Sequence, residues 1–81
     1  MATKSKSQKD PKREDLRRLG QRIRDQRLHR GFTQATLADS LELSVAYISL
    51  IERGGRNPPY TTVASIARVL GVPTARLVQE G

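Results

Sequence analysis

Twenty-one residues in the middle of the chain, Thr33 to Arg53 (TQATLADSLELSVAYISLIER), restrict the fold more than any other stretch. They hold two short apolar-periodic segments, Gln34 to Leu41 and Val45 to Glu52, separated only by Glu42, Leu43 and Ser44. A connection that short makes a helix-to-helix corner. Thr33 and Ser44 each stand immediately before a periodic run, where a hydroxyl oxygen accepts from an otherwise unpaired amide of the first turn. The stretch therefore starts two helices. Leu37, Ala38 and Leu41 share one face of the first, Ile48 and Ile51 one face of the second, and Leu43 lies in the corner. Once those faces close on a common core, the second helix turns Val45, Ala46, Ser49 and Leu50 outward. Small uncharged side chains leave it slim enough for a DNA major groove, about 12 Å wide and able to admit one α-helix.

The surrounding sequence fits a small helical bundle. With 81 residues there is room for one domain, which at this size buries only about 60% of its unfolded surface. Phe32, Tyr47 and Tyr60 are the only aromatic residues, and the β-branched and aromatic alternation of strands is missing, so the fold reads as all-α. No cysteine is present, which excludes disulfides and thiolate metal sites. Lysines near the N-terminus have no apolar run behind them, and nothing approaches the ~20 apolar residues of a membrane span. A cytoplasmic protein without a leader is expected.

Charge is distributed unevenly. Net charge is +7, yet residues 32 to 53 hold one basic side chain against three acidic ones, while the 31 residues before them hold eleven against four. The inserted helix is thus close to neutral and its neighbours are basic. In a duplex binder such flanks hold phosphates, which positions the protein without reading sequence. The bland alternative is an ordinary solvated surface.

Residues 1 to 12 (MATKSKSQKDPK) have almost no apolar content and are expected to form a flexible basic tail, with residues 13 to 81 as the domain. Such a tail either lies along DNA or solubilises the chain. A first helix is predicted from Arg13 to Arg30, with Leu16, Leu19 and Ile23 on its core face, Gly31 as its stop and Phe32 packing back on the last turn. Its arginines at 17, 18, 22, 24, 27 and 30 mostly cover solvated faces. His29, without a second histidine or a carboxylate cluster, reads as a surface residue. Beyond the central pair, Arg53-Gly54-Gly55-Arg56-Asn57-Pro58-Pro59 is a loop, with the two arginines near the end of the inserted helix. Val63, Ile66, Ala67 and Leu70 define a fourth helix from Tyr60 to Leu70, and Pro73 to Val78 a short fifth. Leu70, Val72, Leu77 and Val78 offer apolar surface for a self-complementary dimer contact.

Catalysis is not expected, because one histidine, no cysteine and singly scattered acids assemble neither a nucleophile with its base nor a carboxylate pair. No metal or other cofactor is called for. Two non-enzymatic classes compete with DNA binding. A membrane-surface protein would use the Arg-rich first helix, but that helix lacks aromatic anchors and its apolar face is needed by the core. An antitoxin-type protein would bind DNA and also neutralise a protein partner, for which only the N-terminal tail is on offer, since three residues follow Val78.

Gln34, Leu37-Ala38, Ser44, Ile48-Ser49 and Glu52 together resemble the helix-turn-helix of the Cro and lambda-repressor type, over about Leu19 to Val78. That resemblance implies a compact five-helix bundle with the motif formed by helices 2 and 3. It implies an ion pair between Arg27 and Glu52, and backbone phosphate contacts from Gln34 and from the loop that carries Arg53, Arg56 and Asn57. The family usually has Gly in the turn where this chain has Glu42. A left-handed backbone there costs a non-Gly residue about 1 kcal/mol, so either the turn bends differently or it is strained.

The expected function is a sequence-specific DNA-binding transcriptional regulator of the repressor, autoregulator or restriction-modification controller type, acting as a homodimer on an inverted repeat. RNA polymerase is a candidate further partner, no small-molecule effector is evident, and the protein is expected with the nucleoid. Val45 and Ala46 can touch thymine methyls but make no bidentate base contact, which leaves Ser44, Tyr47 and Ser49 to supply hydrogen bonds. Much of the specificity is therefore expected from DNA shape.

Overall fold

The computed structural model describes residues 11–78; the expected basic arm falls mostly on residues 1 to 10, outside the described residues. Five helices follow one another: α1 (Pro11–His29), α2 (Gln34–Leu41), α3 (Val45–Glu52), α4 (Tyr60–Leu70) and α5 (Thr74–Val78). Helix α1 begins two residues earlier than its apolar periodicity suggests. Proline at the first helical position loses nothing, because its missing N–H would have had no partner in the helix. Pro11 and Lys12, assigned to the tail from sequence, are the opening residues of α1. Pro73 lies just before α5 and accepts from the Arg76 amide at 2.9 Å.

Four of the helices end in the same way. After α1, Gly31 N–H donates to Leu28 O at 3.0 Å and Phe32 N–H to Arg27 O at 3.0 Å, which requires a left-handed residue, here Gly31 with φ 76°. The ends of α3 and α4 repeat the pattern with Gly54 and Gly71. At the end of α2 the position falls to Glu42, with φ 58° and ψ 40°. Of the two outcomes left open for that corner, the chain takes the strained one. Leu43 N–H donates to Ala38 O at 2.9 Å and turns its side chain toward the core, so the corner stays tight.

Ile23, Leu37, Ala38, Ile48, Ile51, Val63, Ile66, Ala67, Leu70 and Leu77 are buried and form one core. Leu19, Phe32, Leu41, Leu43, Tyr47, Val69 and Val72 pack around it half-buried. Helix α2 sits between α3 and α4, while α1 lies across α3 on one side and meets α5 on the other. The crossing of α1 over α3 happens at Gly20. A Cβ there would overlap the Ile51 and Glu52 carbonyl oxygens and lie 2.7 Å from the Glu52 carbonyl carbon, so main chain rests on main chain.

A side chain closes the far end of the bundle. Arg30, assigned from sequence to the solvated face, donates from Nη1 to Leu70 O at 2.8 Å, and its guanidinium lies 5.4 Å from the centre of the Phe32 ring. A cation at the carbonyl end of α4 is favoured by the helix dipole and satisfies a carbonyl the helix leaves unpaired.

Candidate nucleic-acid interface

Helix α3 is held at its start by Ser44, whose Oγ accepts from the Tyr47 amide at 3.0 Å. Thr33 does the same for α2, accepting from the Thr36 amide at 2.9 Å. Both hydroxyls thus fix where the two helices begin. From that start α3 turns Ile48 and Ile51 into the core. Its opposite face carries Val45, 45% exposed, with Ala46 exposed and Ser49 and Leu50 half-buried.

The last turn is fixed by a charged network. Arg27 Nε donates to Glu52 Oε2 at 2.6 Å and Nη2 to Oε1 at 3.0 Å, with both side chains buried. The remaining Arg27 nitrogen donates to Phe32 O at 2.8 Å. Gln34 Nε2 adds a hydrogen bond to Glu52 Oε1 at 3.1 Å. This fork-to-fork geometry satisfies every polar atom of the pair, and no buried side-chain nitrogen or oxygen among the described residues lacks a partner. One network therefore ties the ends of α1 and α3 to the opening residue of α2. Gln34 spends one of its two amide N–H groups on it and keeps the other.

Two side chains on α3 are coupled to the loop arginines. Ser49 Oγ accepts from Arg53 Nη1 at 2.8 Å, which folds that guanidinium back along the helix. The Arg56 guanidinium stands 6.0 Å from the centre of the Tyr47 ring. Tyr47, Arg56, Ser44, Ala46 and Leu50 line a shallow groove beside α3, together with Glu42 and Leu43. Asn57 does not join them. It faces another groove, between α1 and α5, with Lys12, Leu16, Leu19 and Val78.

The apolar surface assigned from sequence to a dimer contact is smaller than expected. Leu70 and Leu77 are 1% and 0% exposed, because α4 and α5 use them to close the core, and neither reaches a partner. Val78, 42% exposed, and half-buried Val72 remain at the surface. No described helix is long and apolar enough to cross a membrane, and no three metal-ligating side chains among the described residues come together.

Known proteins share this fold. The Helix-turn-helix family model matches residues 23–77. The chain belongs to the XRE-type helix-turn-helix family. It is 39% identical over 62 residues to the immunity repressor protein of Bacillus phage phi105, covering 76% of this chain and 43% of that protein. It is 34% identical over 62 residues to the HTH-type transcriptional regulator DdrOP3 of Deinococcus deserti, covering 76% of this chain and 48% of that one. The chain thus spans less than half the length of either. Among solved structures, the restriction-modification controller protein C.AhdI from Aeromonas hydrophila superposes with a TM-score of 0.76 at 34% identity, over 79% of this chain and 97% of that one. The clp gene regulator ClgR from C. glutamicum superposes at 0.77 with 30% identity, over 79% and 82%. The chain has the lambda-repressor-like fold, and the relatives named here are regulators.

Two features of the interface carried no weight in the sequence reading. Gly20 had a signal: a glycine inside a helical run gives up about 1 kcal/mol against alanine and calls for a packing reason. The coupling of Ser49 to Arg53 had a weaker one, their spacing of four on a helix that ends between them.

Proposed function

We propose that this regulator inserts α3 into the major groove and binds an inverted repeat as a homodimer, in the manner of a repressor, autoregulator or restriction-modification controller. The observation that carries the reading is the outer face of α3: Val45 and Ala46 are exposed and neutral, and Arg53 and Arg56 flank them at the helix end, held by Ser49 and Tyr47. The arginines hold phosphates or groove edges, while the short side chains let the helix sit deep. Ser49 and Tyr47 are both engaged with arginines, so few groups on α3 remain for reading bases directly, and DNA shape carries a large share of the specificity. Val78 and Val72 support a dimer contact. Two copies of α3 in such a dimer stand about 34 Å apart, one helical turn of DNA.

Selection of bound duplexes from a random pool at fixed salt, with sedimentation of the complex, tests this. The expected result is a two-fold symmetric consensus with half-site centres about 10 base pairs apart, bound by two chains. Enrichment of no common site, or binding by one chain to an asymmetric site, would refute it.

A further inference from the structure

Arg17, Gln21 and Arg24 recur at steps of four and three and so form one stripe along α1. Two glycines bring that stripe flush with the end of α3. Gly20 lets the helices touch through their main chains, and a Cβ on Gly54 would lie 3.0 Å from Arg17 Cα. Together with Glu14, Arg18, Glu52 and Arg53, the stripe lines an open groove of about 530 Å³ that continues from the last turn of α3.

The charge of this groove is more positive than its residue list suggests. Glu52 has both oxygens engaged by Arg27 and Gln34 within the protein. Glu14 approaches Arg17 only to 3.9 Å, between two exposed side chains, which holds neither firmly. Arg24 and Arg53 have no carboxylate partner among the described residues. Several guanidinium groups therefore share one channel, and planar forks of this kind match phosphate oxygens in pairs.

We propose that this groove is a second DNA contact, holding phosphates of the duplex backbone from Arg53 along α1 by way of Arg17 and Arg24. It rests on the reading of α3 as the inserted helix, because Arg53 belongs to both surfaces. The footprint on one strand then runs past the end of α3 and follows α1. Base preference stays with α3, since phosphates carry no sequence information.

The test measures affinity for a random-sequence duplex across a salt series, using the full chain, R17Q/R24Q and a control, R68Q/R76Q, that removes the same charge from exposed positions on α4 and α5. Each phosphate contact contributes roughly 0.9 to the slope of log affinity against log salt. The groove variant is expected to lose about 2 from that slope, with the control unchanged and the consensus of selected sites retained. An unchanged slope, as a groove that takes acidic peptides would give, overturns the proposal. So does an equal loss in the control, or no duplex binding by the full chain at low salt. Loss of slope confined to R17Q/R24Q with no consensus in the selection would support the groove while sinking the reading of α3.

Discussion

At its first turn α3 has the Ser44 cap and turns Ile48 into the core, with Val45 and Ala46 in solvent, whereas its last turn is gripped by two other helices at once. There α1 supplies Arg27 and the bare main chain at Gly20, α2 supplies Gln34, and the Glu52 carboxylate accepts from both Arg27 and Gln34. Eight residues thus divide two tasks. The second half of the helix sets where it lies, and the first half is left free to meet a ligand. Substitutions in the two halves are expected to separate accordingly, the second acting on stability and the first on recognition.

The strongest way to break this division is Glu52→Ala. Removing the carboxylate strands Arg27 in a buried site and is expected to cost about 3 to 5 kcal/mol, a large part of the roughly 4 to 12 kcal/mol available to a domain of this size. Thermal unfolding should show it as a steep fall in Tm, with DNA affinity measured well below that Tm changing far less. An unchanged Tm would mean that the grip on the last turn is not where the stability lies.

Gly20→Ala probes the same end through shape instead of charge. Alanine favours a helix by about 1 kcal/mol over glycine, so in an unobstructed helix the change would stabilise. Here the added methyl meets the Ile51 and Glu52 carbonyls, and a net loss of about 1 to 3 kcal/mol is expected from the forced separation of α1 and α3. The urea midpoint decides the sign.

The smallest effect is predicted at the corner before α3. Glu42→Gly relieves the left-handed strain, and because glycine also gives up more freedom on folding the net gain is held to about 0.5 to 1 kcal/mol. Differential scanning calorimetry should show a rise in Tm of about 2 to 8 °C. Site preference should stay the same, since the strain lies before the Ser44 cap and not in α3. A shifted preference would show that the corner aims the helix.

The helices and the core were legible in the sequence because local rules decide them: hydroxyls before periodic runs start α2 and α3, and glycines at 31, 54 and 71 stop three helices. Most core positions followed from periodicity, whereas Leu77 was read as partner surface and is buried. What periodicity does not carry is which apolar residue is used up by long-range packing. Leu70 and Val72 look alike as candidates for a partner's surface, yet only the docking of α4 on α1 and α5 hides the first. Arginines are harder still, since a cation on a helix face has the same pattern whether it caps another helix, as Arg30 does, pairs in the interior, as Arg27 does, or lines a groove, as Arg24 does. The Arg27 role came from resemblance, and the others needed coordinates.

Arg30 reaches a carbonyl 40 residues further along the chain. The last turn of α4 is completed by a group that arrives only when α1 has docked, so that turn cannot be finished by its own segment. A contact this distant in sequence costs the closure entropy of the intervening chain before it contributes anything. The first helix thus finishes the fourth, and neither segment alone carries both ends of that bond.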